Sequence, residues 1–442
     1  MSATYGRRGS PGRRAVLTAA SAVLVSSLTA CAPSDGGGTS GGGVVLTFSW
    51  WGNDDRAERT NEAVRLFEKE HPGVTVRTSN ADFGSYLQKL ATQAAGGGMP
   101  DVAQLDYRQI SQYAGSGALL PLGESIKNNS IRTNEMDQGL LRTGTYEGGQ
   151  YALPMGRGIT GYAYDSKLYQ KAGIAAPEPS WTWQDWENAN KKVAALGLKG
   201  PDGRAVTGAN DGGGNQDVFE TWLRSRGGQL YASQTKLGFT EDDLTEFWAF
   251  CDRLRKEGSI ASANDTTQAN SMETSPIGRG LAAADFTWDA PFPGYTKALG
   301  EHVHFAPVPS TQGRQGTYFK PTMLIGIAAN SKHPKEAAQL IDFLLNDRRA
   351  GDILGYTRST PPNRAIAETV SKTLKDAELE IYQYSQKMEK YGIDPPPFAP
   401  PPGDVAINSA FNRLYQRVMF ELTTPRQAAR EFFEEANREL RS

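Results

Sequence analysis

An α/β fold of two lobes or more is predicted by three observations. Strand and helix signals alternate over residues 44–106, a chain of 442 residues is too long for one ordinary core, and the composition is that of a soluble globular protein. The first strand opens at Val44, in an apolar run rich in β-branched and aromatic residues that reads Val-Val-Leu-Thr-Phe-Ser-Trp-Trp-Gly-Asn to Asn53. Thr60, Ala63, Val64 and Phe67 then fall on one face of a helix over 54–70, and His71-Pro72-Gly73 stops it because proline cannot continue the hydrogen-bond ladder. Residues 74–77 form a second strand. Phe83, Leu87, Leu90, Ala91 and Ala94 mark a second helix, ended by Gly96-Gly97-Gly98, and residues 100–106 a third strand. Strands joined through helices need crossovers, which implies a mostly parallel sheet.

The first 43 residues are built differently. Arg7, Arg8, Arg13 and Arg14 precede the run Ala15–Ala30, which is apolar but short for a membrane span and reads as an export signal over 1–30. Leu28-Thr29-Ala30-Cys31 resembles the bacterial lipoprotein cleavage box, which implies a diacylglycerol on Cys31 and anchoring to the outer face of the cell membrane. The glycine clusters of 31–43 form a tether, and both Sec and twin-arginine export stay open. The formal charge is −2; without residues 1–30 it becomes −6, with 43 basic against 49 acidic residues, and no basic stripe suggests nucleic acid. Cys251, the other cysteine, is expected to be unpaired and buried.

Trp50, Trp51 and Asn53 stand where a strand emerges into a loop, the end at which α/β sheets bind ligands. A sugar suits them, because its C–H face stacks on indole and its hydroxyls bond to amides and carboxylates. Neighbours on a strand point to opposite faces, so one indole is expected in the core and the other at the ligand. Asp82 and Asp106, the latter followed by Tyr107, are candidate acceptors for paired hydroxyls, or else helix caps. Thr182 and Asp185 cap a helix, which makes Trp181, Trp183 and Trp186 core residues. The loop 208–216 lacks the lysine and hydroxyl of a P-loop; its Asn215 or Gln216 donates to a ligand hydroxyl, or the loop is a surface turn. Phe286, Trp288 and Asp289 combine aromatic faces with a carboxylate. His302 and His304 on one strand face raise a metal site, but no cysteine or acidic cluster joins them, so none is expected. Residues 395–402 read as a stiff polyproline spacer on the surface.

Residues 44–442 resemble the extracellular solute-binding proteins of the carbohydrate class, the family of the maltose-binding protein, which feeds an ABC importer. The resemblance rests on Trp50-Trp51-Gly52 with Phe67–Val76, on Pro100-Asp101-Val102 through Leu122, and on Gln150–Pro154 through Asp165. Further on it rests on Ser180–Trp183, Ala284–Trp288 and Ile327–Ala338. It implies a type II periplasmic-binding-protein-like fold, each lobe a mostly parallel sheet flanked by helices, with ligand held between lobes that close about a hinge. The crossings are expected near 154–160, 303–309 and 346–351. The first lobe then comprises 44–155 and 305–346, and the second 156–304 and 347–442. The resemblance also implies that Trp288 stacks on sugar, and that the loop carrying Arg358 reaches back to the cleft. Arg157 sits in the first crossing and completes the candidate contacts.

The favoured reading is a lipid-anchored, monomeric sugar receptor without cofactor, served by separate permease and ATPase chains. Two alternatives keep some weight: the same architecture carrying a metal, polyamine or organic anion, and a secreted glycoside hydrolase, against which stands the lack of a nucleophile pattern.

Overall fold

The computed structural model describes residues 43–269 and 271–441, so the export segment, Cys31 and most of the tether lie outside the described residues. Strand β1, Val44–Trp51, pairs in parallel with β2, Val74–Ala81, from Val44 opposite Val74 to Trp51 opposite Ala81. Helix α1, Asp54–Glu70, joins them and buries Thr60, Ala63, Val64 and Phe67, the face read from the sequence. Helix α2, Phe83–Ala95, leads to β3, Val102–Leu105, which also lies parallel to β1.

The later principal strands are β4, Ala152–Pro154; β5, Arg157–Asp165; β6, Ala284–Trp288; β7, Val303–Ala306; β8, Phe319–Pro321; and β9, Leu324–Ile327. The first lobe's sheet runs β2-β1-β3-β9-β4, with β9 antiparallel to both neighbours. In the second lobe β5 is buried along most of its length, and β6, β7 and β8 all pair with it antiparallel. This corrects the expectation of a mostly parallel sheet there. The chain enters that lobe along β5, and the strands that lead it back toward the hinge run the other way.

The crossings follow from these pairings. The first runs between β4 and β5. The second is later than expected, because Phe305 and Ala306 pair with Ala163 and Tyr162 in the second lobe and the chain returns only between Pro321 and Leu324. The third is also later: Leu344, Leu345 and Ala350 pack in the first lobe's core, so the chain leaves near Tyr356–Thr360. The three segments are bonded side by side, Met155 N–H to Met323 O at 2.9 Å, Thr322 N–H to Gly156 O at 3.0 Å and Arg157 N–H to Thr360 O at 2.7 Å. Gly156 is required here, since a Cβ on it would overlap the Arg358 carbonyl and the Thr322 hydroxyl.

Each lobe has its own core. Phe48, Trp50, Phe67 and Ile341 belong to the first. Trp186, Phe219, Trp248 and Phe411 belong to one face of the second, which helices α5, Asp404–Met419, and α6, Pro425–Glu439, complete. Helix α3, Trp183–Ala194, begins with the expected reciprocal cap, Asp185 N–H donating to Thr182 Oγ1 at 3.1 Å and Thr182 N–H to Asp185 Oδ2 at 2.8 Å. Cys251 is buried and free. His302 and His304 face separate carboxylates, Asp165 at 3.4 Å and Glu380 at 3.3 Å. Residues 395–402 are no free spacer: carbonyls of Phe398 and Pro400 accept from Tyr107 and Ser111 of the first lobe, and those of Pro395 and Ala399 from Arg224 and Gln234 of the second. A chain without N–H donors still offers every carbonyl, so a polyproline stretch makes a good strap. Among the described residues no helix is long and apolar enough to cross a membrane.

Candidate ligand-binding cleft

The site is assembled around the start of helix α4, Gln216–Ser225. Asn215 caps it, accepting from Asp217 N–H at 2.9 Å, and so aims the Asp217 side chain outward from the first turn. Asp217 accepts from Arg108 Nη2 of the first lobe at 2.6 Å and from the Trp288 indole N–H at 2.8 Å, and Lys320 Nζ lies 3.9 Å away. Burial opposes ionisation of Asp217, but Arg108, Lys320 and the indole N–H outweigh it and hold the carboxyl well below its usual range. Arg108 Nε also stands 3.5 Å from Asp404, so one guanidinium ties two carboxylates of the second lobe to the first. The Lys320 ammonium lies 3.6 Å from the Trp288 ring centroid, and desolvation lowers its pKa.

Beside this cluster runs a groove of about 790 Å³, with Arg108 at its edge. Asn210, Asn215 and Gln216 line one side, Asn408 and Asn412 of α5 another, and Phe286 supplies a ring. A smaller cavity of about 170 Å³ continues it beneath Phe286 and Trp288 toward Thr160 and Val308. The lining is dominated by amides and hydroxyls, with few aromatic faces, which is the chemistry of a polyhydroxylated ligand.

Three candidates therefore meet here, Asn215, Phe286 and Trp288. The others do not. Trp50 shares one face of β1 with Phe48, 4.8 Å away, and is fully buried in the first core. Trp51, on the opposite face, is not open either, because Phe83 and Tyr86 cover it at 5.4 and 5.5 Å. Asn53 caps α1 through Arg56 N–H at 3.0 Å, Asp82 caps α2 through Ser85 N–H at 3.0 Å, and Asp106 caps the turn at Tyr107 through Arg108 N–H at 2.9 Å. Tyr107 is buried with its hydroxyl on the Phe398 carbonyl at 3.0 Å.

Arg157 stacks on Phe319 at 4.1 Å and reaches Glu389 at 3.1 Å, away from the groove. Asp289 is fully buried at the hinge, accepting from Ser359 Oγ at 2.7 Å. Arg358 is buried under the first lobe, donating to Gln104 at 3.1 Å and Thr60 at 3.0 Å. Helix caps, ring packing, ion pairs and bonds to other segments engage these side chains instead.

Sequence reading missed Arg108, Asp217 and Lys320, whose meeting depends on three segments far apart in the chain. It also missed Asn408, Asn412 and Gln416, although their spacing of four puts an amide stripe on one face of α5 and was readable.

The profile describing bacterial extracellular solute-binding proteins matches residues 38–349. The chain belongs to that family. A family 1 extracellular solute-binding protein from Alicyclobacillus acidocaldarius is 31% identical, with a TM-score of 0.67 over 90% of this chain and 99% of that one. An oligogalacturonide-binding protein of Yersinia enterocolitica, solved with saturated digalacturonic acid, superposes with a TM-score of 0.74 at 24% identity, covering 90% and 99%. An ABC substrate-binding protein of Listeria monocytogenes, solved with cycloalternan, does so at 0.74 and 20%, covering 90% and 98%. Among curated sequences, a lipoprotein of Streptomyces antibioticus is 24% identical over 76% of this chain and 73% of its own length. This solute-binding protein thus has the two-lobed type II architecture of its relatives.

Proposed function

We propose that this solute-binding protein captures a sugar or oligosaccharide in the cleft and passes it unaltered to the permease subunits of an ABC importer. The observation that carries the reading is the groove of amides and hydroxyls ending at Phe286 and Trp288. Hydroxyl rims bond to the former and C–H faces stack on the latter. The sugars named with the Yersinia and Listeria structures support the same class of cargo. Export and a lipid on Cys31 keep the protein at the outer face of the membrane, where two acyl chains suffice for a lasting anchor.

Tryptophan fluorescence during titration with mono- and oligosaccharides tests the cargo. A saturable change is expected, diminished in Trp288→Ala; no response to any saccharide overturns the reading, and product accumulating over repeated turnovers makes the chain a hydrolase. Cys31→Ala is expected to move the protein from the membrane fraction to the medium.

A further inference from the structure

The groove is uneven in charge. Among the described residues Arg108 is the one basic residue in its lining, and Asp217 and Asp404 already neutralise it. Of the lining carboxylates, Asp217 has Arg108, and Asp211 has Arg255 at 3.6 Å together with the Tyr415 hydroxyl at 2.9 Å. Asp285 has no such partner. It sits on β6, opposite Ala163 of β5, and lines the groove. The Tyr295 hydroxyl donates to it at 2.8 Å. The Asn210 amide donates as well, its own oxygen being taken by Ile277 N–H at 3.1 Å. Both donors are neutral, and among the described residues no lysine or arginine pairs with Asp285. Glu273, a further acid, acts on the same Tyr295.

A carboxylate withdrawn from water and held only by neutral dipoles is stabilised most by a cation brought to it, and an incoming anion meets repulsion. We infer that the cleft selects amine-bearing saccharides, with Asp285 as the residue that determines this specificity by receiving the sugar ammonium. The inference rests on the sugar-binding reading above and names the class of sugar. Digalacturonate, the cargo named with the Yersinia structure, is then a poor ligand here. Burial raises the Asp285 carboxyl to about 7, the Tyr295 and Asn210 donors only partly offsetting it, and Tyr162 and Glu273 are the other titratable groups around that pair. The carboxylate is ionised above that value, so the preference for an amine is present at pH 7.5 and fades toward pH 5.5.

Calorimetric titration of the mature chain decides the matter, with a glucosamine trimer, its N-acetylated counterpart, digalacturonate and spermidine as probes. At pH 7.5 the glucosamine trimer is expected to bind at least about tenfold tighter than the N-acetylated one, the gain of a charge-assisted over a neutral hydrogen bond, with digalacturonate weakest. Asp285→Asn, which keeps an acceptor for Tyr295, is expected to remove the preference while retaining the N-acetylated trimer. Tyr295→Phe, which leaves the charge in place, is expected to keep it. Equal affinity for the two trimers, or a preference that survives in Asp285→Asn, overturns the inference and leaves the sugar reading standing. Spermidine binding tighter than every saccharide, or no saccharide binding at all, overturns both.

Discussion

Replacing Asp289 by asparagine should stabilise the protein at alkaline pH. Asp289 has no exposed surface, and burial pushes its carboxyl to about 7 despite bonds from Ser359, the Ala290 and Ile159 N–H groups and the charge of Arg157; Tyr356 and Tyr384 also face it. In the unfolded chain an aspartate titrates near ~3.9. Between these values the unfolded state has lost a proton that the folded state keeps, so stability falls as pH rises from about 4 to about 7 and then levels off. The loss amounts to about 4 kcal/mol at pH 8, more than half of it accruing above pH 5.

Asparagine carries no charge and fits the bonding pattern. Its amide oxygen retains the Ala290 N–H, 2.7 Å from Asp289 Oδ1, and its NH₂ donates to Ser359 Oγ, whose own proton turns to the Arg157 carbonyl at 3.1 Å. Urea denaturation of both proteins at pH 5 and pH 8 measures the effect. Asp285 and Asp211 contribute the same pH dependence to both, so the difference between the proteins isolates Asp289. If Asp289→Asn is no more stable than the parent at pH 8, or the gap between them does not widen from pH 5 to pH 8, the hinge carboxyl is not held as described.

Arg108→Met should cost about 3–5 kcal/mol in denaturant, because it leaves Asp404 with the Tyr231 hydroxyl and removes one of the three partners of Asp217. Gly156→Ala forces the crossing segments apart and should cost about 1–3 kcal/mol, with a changed radius of gyration in small-angle scattering as the sign that the hinge has moved. Asp82→Ala removes only a cap, so a modest drop in Tm with unaltered saccharide affinity is expected; a tenfold or greater loss of affinity would return Asp82 to the site. Phe286→Ala removes a ring that also packs on Tyr162 at 5.0 Å and Trp186 at 5.6 Å, and should lower both Tm and affinity, separately measured by calorimetry.

What the sequence by itself determined is whatever depends on neighbours along the chain. The buried face of α1, the stop at His71-Pro72-Gly73, the reciprocal cap at Thr182 and the parallel β1-β2-β3 unit all follow from spacing and local backbone chemistry. The tertiary structure decided which polar groups remain free for a ligand. Asn53, Asp82, Asp106 and Asn215 carry side chains that serve a helix N-terminus as well as a sugar hydroxyl, and only Asn215 also reaches the groove. Asp289 and Arg358 looked available until Ser359 and Gln104, far off in sequence, closed over them. The cleft's own charges, Arg108, Asp217 and Lys320, come together because the chain crosses between lobes three times, and an electrostatic interaction depends on distance in space rather than separation along the chain.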